Sequence, residues 1–165
     1  MLSPKAIERT EKIASSDRYS PEFLSLKTAL DNSRLNQTLN TPAISTLFLL
    51  NEQIKWINQN GGLVWADQRT KKCSDYLYDW ATKTSYLNCF VTNPEHRSQV
   101  VVTIDFDQSI DAAEVAKILR ANGIVDTDPY RKLGRNQLRI ATFVATDFED
   151  VEKLTQSIEY VVERM

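Results

Sequence analysis

The stretch SQVVVTIDFDQSIDAAEVAKILRANG, residues 98–123, decides the fold. Val100 to Ile104 are all β-branched, which predicts a mostly buried strand. Asp111 followed by Glu114 makes a capping-box-like helix start, and Gly123 suits the left-handed residue that ends the helix. A strand feeding a capped helix predicts α/β architecture. Working outward, IVD (124–126) reads as a short strand and QLRIATFV (137–144) as a longer one. The tail TDFEDVEKLTQSIEYVVERM reads as a closing amphipathic helix with Asp147 as its cap. Its apolar stripe is Val151, Leu154, Ile158 and Val161. Upstream, Ala66, Cys73, Leu77 and Trp80 recur at helical spacing, predicting a helix over about Leu63–Thr84. LNCFVTNPEH then connects, with a short strand of its own. The expected fold is an α/β sandwich, a small sheet covered by helices.

The N-terminal part reads differently. Ser3 and Pro4 fit an N-cap and first helical residue. Residues 17–40 are polar and weakly periodic, which predicts a loop with a short strand at EFLSL. A loop that long in a compact domain implies that it binds something or packs on a partner. In NTPAISTLFLLNEQIKWINQNGG, Thr41 is the expected N-cap, with Pro42 in the first turn. Leu47, Leu50, Ile54 and Ile57 form the expected buried stripe. Asn60-Gly61-Gly62 ends that helix and marks a domain boundary or hinge.

The chain has 165 residues, 42% hydrophobic and 25% charged, with a net charge of −2. That is ordinary for a globular protein and argues against general nucleic-acid binding, which needs a basic face. The two cysteines, Cys73 and Cys89, show no metal or disulfide spacing and fit a reducing, cytoplasmic setting. No apolar run approaches a membrane span, and the N-terminus carries no apolar signal core. His96, in a Pro-Glu-His-Arg loop, reads as a solvated surface residue. No serine or cysteine nucleophile motif is present.

Against this mildly acidic background, Arg131, Lys132, Arg135 and Arg139 fall within DPYRKLGRNQLRIATFVA, residues 128–145. Arg139 sits inside the last strand, with Ala141 and Phe143 on its face. That placement predicts an inward-facing guanidinium, which needs an anion because an unpaired buried charge is very costly. Its planar fork matches a carboxylate. Arg131 and Lys132 would meet a second anion, and the Gly134-Arg135-Asn136 turn adds backbone N–H donors. The same run also reads as a solvated loop, with Asp126 and Asp128 as internal partners for Arg131 or Lys132. Asn40 and Thr41, ahead of a helix start, suit a phosphate, although an N-T-P sequence is also an ordinary helix cap.

Taken together, NQTLNTPAISTLFLLNEQIKWINQNGGL, RSQVVVTIDF, KILRANGIVDTDPYRKLGRNQLRIATF and DVEKLTQSIEYVVER closely resemble the C-terminal part of the phosphoserine aminotransferase family, in its actinobacterial-type branch. That family belongs to the class V, fold-type I enzymes that use pyridoxal 5'-phosphate. The resemblance implies a cytoplasmic homodimer of serine biosynthesis, with active sites at the subunit interface. It implies amino transfer from glutamate to 3-phosphohydroxypyruvate, giving phosphoserine and 2-oxoglutarate. It implies that Asn40 and Thr41 reach the cofactor phosphate of the other subunit, that Arg139 grips the substrate carboxylate, and that Tyr130 and Arg131 lie near the substrate phosphate. Two features depart from the pattern. Tyr130 stands where other branches have histidine, and the Arg131–Arg139 spacing is slightly longer, so Lys132 or Arg135 would share the phosphate. The resemblance also implies that the Schiff-base lysine lies upstream of the stretch matching Met1. Residues 1–60 would then be the end of the large cofactor domain and 61–165 the small α/β domain. A chain with this pattern could instead be a non-catalytic module for a small anion or a protein partner, or part of another class V aminotransferase.

Overall fold

β-Branched and aliphatic side chains at every second position build the sheet. The computed structural model describes residues 2–130 and 132–165 and divides into two units, the first ending at Gln53 and the second running from Ile54 to Met165.

In the second unit, helix α4 (Gly62–Lys83) leads into β1 (Leu87–Cys89) and β2 (Val101–Phe106). Helix α5 (Ala112–Ala121), β3 (Gln137–Ala141) and α6 (Phe148–Val162) follow. Helices α1 (Pro4–Ala14), α2 (Leu26–Arg34) and α3 (Ile44–Gln59) precede them in the chain. The strands form one antiparallel sheet in the order β1-β2-β3. Val102, Ile104 and Phe106 of β2 and Leu138 and Ile140 of β3 point to one face. There they join Cys73 and Leu77 of α4, Val115 and Leu119 of α5, and Val151 and Ile158 of α6 in a single core. Each of the larger side chains buried there contributes about 1.5–3 kcal/mol. Cys73, Leu77 and Trp80 of the expected α4 stripe and all four residues of the α6 stripe face this core, while Ala66 is buried outside it.

Local signals set the ends. The Asp111 carboxylate accepts from the N–H groups of Ala113 (2.8 Å) and Glu114 (3.3 Å), capping α5. Glu114 pairs with Lys117 (2.9 Å). Asp147 flanks α6 but makes no side-chain cap bond; its carboxylate is ion-paired with Arg69, whose Nε also donates to the Val144 carbonyl (2.7 Å). IVD is not a strand. Asp126 adopts φ 63°, in the left-handed region, and turns the chain out of extension. Just beyond it, the Arg139 N–H donates to the Thr127 carbonyl (3.0 Å), tying this segment to β3.

In the first unit, α1 (Pro4–Ala14) begins as expected, with the Ser3 hydroxyl accepting from the Ala6 N–H (3.3 Å). The expected loop over 17–40 contains a 3₁₀ turn at Glu22–Leu24 and helix α2 (Leu26–Arg34), and EFLSL forms no strand. Ser25 explains the difference, because its hydroxyl accepts from the Thr28 N–H (3.2 Å) and caps α2. Arg34 of α2 pairs with Glu11 of α1 (2.6 Å). Helix α3 (Ile44–Gln59) spans the division between the units. It starts later than expected, with the Ala43 carbonyl taking the first helical bond, from the Leu47 N–H (3.0 Å), so Thr41 is not its cap. The stripe expected to be buried is largely exposed, with Leu47 at 52% and Leu50 at 53%. Helical spacing encodes an apolar face but not its cover, and the described residues supply none.

At the α3–α4 corner, Gly61 has φ 118°, and a Cβ there would lie 3.0 Å from that of Trp65. Trp65 stacks edge-on to Trp56, with centroids 5.1 Å apart. No helix among the described residues is long and apolar enough to cross a membrane.

Candidate functional site

The site lies on the sheet face that the helices leave open. Alternation along β2 and β3 puts Val101, Thr103 and Asp105 opposite Ala141, Arg139 and Gln137 in register. Arg139 is exposed there. This corrects the expectation of an inward-facing guanidinium: the interior strand position holds, but helices cover only the Leu138 and Ile140 side. Arg139 makes no ion pair with the described residues; its guanidinium carbon lies 5.8 Å from the centre of the Tyr130 ring, a cation–π distance. It borders a concavity of about 760 Å³ together with Arg120, Asp126, Asp128, Ala141 and Phe143.

The other charges in this region are largely committed. Arg120 meets Asp126 (3.2 Å) and Asp128 (2.7 Å), so the two aspartates find a partner on α5. Those carboxylates, Asp128 first, push the Arg120 pKa above its ordinary value. Arg135 clasps Asp105 with two bonds, Nη2 to Oδ2 at 2.5 Å and Nε to Oδ1 at 3.2 Å, and lies 5.0 Å over the Phe90 ring. Hydrogen bonding to Asp105 raises the Arg135 pKa. The turn expected to present Arg135 to an anion thus directs its fork to a carboxylate on the neighbouring strand.

Asn136 fixes the end of the loop. Its Oδ1 accepts from the Ala112 N–H (2.9 Å), and its Nδ2 donates to the carbonyls of Ile110 (2.8 Å) and Asp107 (3.1 Å). The segment between Asp128 and Asn136 is therefore tied down at both ends, by the Arg120 pairs and by the Arg135 and Asn136 bonds. Tyr130 and Lys132 are exposed on it, and Arg131 lies outside the described residues. Asn40 and Thr41 belong to the first unit, exposed and ahead of α3. His96 is exposed at the end of a 3₁₀ turn, Pro94–His96. Both cysteines are free thiols, and burial pushes the Cys73 thiol up. Among the described residues no group of three or more His, Cys, Asp or Glu side chains is placed to hold a metal.

Sequence reasoning missed Arg120, Asp105 and Gln137, and read Asn136 only as a turn residue, not as the side-chain clamp it is. Asp105 left a usable signal: a carboxylate inside the apolar run VVVTIDF calls for a partner.

Residues 22–128 match the family model of class-V aminotransferases. The chain belongs to the class-V aminotransferase family. A relative from Rhodococcus opacus (strain B4), named phosphoserine aminotransferase, is 60% identical over all 165 residues, which make up 44% of its length. A solved phosphoserine aminotransferase from Cytophaga hutchinsonii superposes with a TM-score of 0.84 at 21% identity, covering 96% of this chain and 43% of that one. One from Bacillus circulans subsp. alkalophilus gives 0.75 at 26% identity, covering 92% and 41%. The small sheet with helices on one face is thus the α/β fold of class-V, fold-type I transferases, and the chain spans less than half the length of these relatives.

Proposed function

We propose that this chain is part of a phosphoserine aminotransferase, transferring an amino group between glutamate and 3-phosphohydroxypyruvate in serine biosynthesis. The observation that carries this reading is Arg139. It is a guanidinium without a carboxylate partner among the described residues, on the open sheet face, beside a concavity whose other arginine is already paired. Both substrates and both products carry carboxylates, which the Arg fork holds with two bonds. The high identity to relatives named phosphoserine aminotransferase supports the same reading.

Arg131, Tyr130 and Lys132 are proposed to meet the substrate phosphate, at the loop held by Arg120, Arg135 and Asn136. The Asp105 clasp assigns Arg135 to anchoring that loop. Pyridoxal 5'-phosphate, when bound, supplies the electron sink at the substrate α-carbon. Asn40 and Thr41 suit its phosphate: both are exposed, neither side chain is engaged by the described residues, and a helix starts just beyond them. No lysine of this chain is proposed for the Schiff base. Residues 1–60 are assigned to the end of the large domain, a reading supported by the exposed α3 stripe, and 61–165 to the small domain. A cytoplasmic homodimer, with Asn40 and Thr41 serving the partner's cofactor, completes the proposal.

The test is Arg139→Ala in the full-length protein. Loss of a charge partner for the substrate predicts a fall in kcat/KM on the order of 100-fold, about 3 kcal/mol. Because Arg139 is exposed, Tm stays within about 1 °C. A normal kcat/KM removes the carboxylate assignment. Arg131→Ala should impair 3-phosphohydroxypyruvate far more than a non-phosphorylated 2-oxo acid; equal losses remove the phosphate assignment.

A further inference from the structure

We propose that Gln137 is a positioning residue for Arg139: its side-chain oxygen accepts a hydrogen bond from the Arg139 guanidinium and holds the fork toward an incoming carboxylate. The proposal rests on the carboxylate-binding reading of Arg139 and adds to it a residue that acts through that arginine.

Gln137 is 1% exposed, although it shares the open sheet face with Arg139. Its amide orientation is set by chemistry. Nε2 donates to Asp105 Oδ1 at 2.8 Å, and an ionised carboxylate can only accept, so the NH₂ group must face β2. That leaves Oε1 on the other side of the amide. Oε1 is the only buried side-chain nitrogen or oxygen among the described residues that lacks a hydrogen-bond partner. A buried acceptor left without a donor costs about 1–3 kcal/mol, so its retention calls for a donor that arrives in the working state.

Arg139 is that donor. It stands two residues along the same strand, on the same face, opposite Thr103 as Gln137 stands opposite Asp105. A guanidinium carries five N–H donors; a bidentate carboxylate uses two and leaves others to be placed. Here the guanidinium meets only the weak field of the Tyr130 ring among the described residues. Donation from Nε2 to the Asp105 carboxylate also polarises the amide and makes Oε1 a stronger acceptor. Asp105 is itself gripped by Arg135, so the relay Arg135–Asp105–Gln137 is fixed before any ligand arrives.

The experiment compares Gln137→Met with Arg139→Ala in the full-length protein, measuring KM, kcat and Tm. Methionine keeps the length and apolar fit but has no strong acceptor. The expected result for Gln137→Met is a KM for glutamate raised about tenfold, with kcat within about twofold, since one charge-assisted bond is lost. Tm should move by no more than a few degrees, because removal of the unsatisfied buried acceptor offsets the loss of the Nε2 bond to Asp105. Gln137→Glu sharpens this: its protonated form offers an O–H donor to Asp105 and a carbonyl acceptor, in place of the amide N–H and C=O, whereas its ionised form repels Asp105 and occupies the Arg139 guanidinium itself, so its KM ratio to wild type should fall as pH is lowered through its titration. Wild-type KM in Gln137→Met beside a collapsed Arg139→Ala overturns the positioning role and leaves the carboxylate reading intact. A Tm lowered by several degrees, with no KM-against-kcat split, also overturns it, because Gln137 would then be structural. Normal kcat/KM in Arg139→Ala removes the reading beneath, and the proposal with it.

Discussion

The two faces of the sheet are made by the same strands, yet they do opposite things. Toward the helices, Val102, Ile104, Leu138 and Ile140 are buried in one apolar core. Away from them, Thr103, Asp105, Gln137 and Arg139 form a polar face with an ion pair, an amide relay and an uncommitted guanidinium. Period-2 alternation separates stability from chemistry at the level of single residues. Adjacent positions should therefore answer differently to the same substitution.

The largest contrast is Ile104 against Thr103. Ile104 is fully buried, so Ile104→Ala should cost about 2–5 kcal/mol, lost transfer energy plus a cavity. Thr103, next to it but facing out, should cost under about 1 kcal/mol on the same change. Urea unfolding with fixed m-values measures both. Equal losses would mean that the open face is also a stability face, and the contrast would fail.

Asn136 comes next, because it joins the two faces. Asn136→Ala removes the acceptor for the Ala112 N–H at the start of α5 and the donor to the carbonyls of Phe106, Asp107 and Ile110. The expected cost is about 1–3 kcal/mol in unfolding. In the full-length protein it should also raise KM for 3-phosphohydroxypyruvate, since the loop carrying Tyr130 and Lys132 loses its downstream anchor. A stability loss without any KM change would detach Asn136 from the site.

These examples show how unevenly the sequence displays its structure. The covered face was legible, since β-branched alternation and helical stripes need only one neighbour, the core, to be interpreted. Arg139 was legible as a residue of interest but not in its setting, because alternation separates two faces without saying which one helices will cover. Nearness in sequence links Asp126 and Asp128 to the loop cations; the fold adds Arg120 on α5 as a partner of both, and Arg131 lies outside the described residues. Arg135 finds Asp105 across the sheet, a contact that register alone creates. Helix α2 was hidden because its signal is a single capping serine in a polar segment. The α3 stripe was read correctly as apolar, but burial is a property of two surfaces, and a sequence pattern describes one.

Alkaline pH offers a smaller test that reads the covered side alone. Burial raises the pKa of Cys73 above its ordinary 9.0, and burial is also the largest cause for Tyr78 and Tyr86, raised above 10.0. All three are neutral when protonated, so above those ordinary values the unfolded chain releases protons that the folded chain still holds. By linkage their stabilising effect is complete below about pH 9 and is lost as pH rises through the folded-state values. Tm should be flat on this account up to about pH 9 and then decline, and Cys73→Ala should remove the earliest part of the decline. Arg139→Ala should leave the whole curve unchanged. If instead the open-face substitution altered the alkaline slope, the separation of the two faces would not hold.

The smallest expected effect concerns the Asp111 cap, which belongs to neither face. Asp111→Ala removes the acceptor for two N–H groups at the start of α5 and should cost about 1 kcal/mol. The first turn of α5 also receives the Asn136 amide at Ala112, so cap and clamp hold one helix end through different N–H groups. Two devices on one turn should couple. The double variant Asp111→Ala with Asn136→Ala should therefore depart from additivity by about 0.5 kcal/mol or more in a double-mutant cycle. Additive losses would show that the helix start is held at each point independently, and that the clamp acts on the loop without help from the cap.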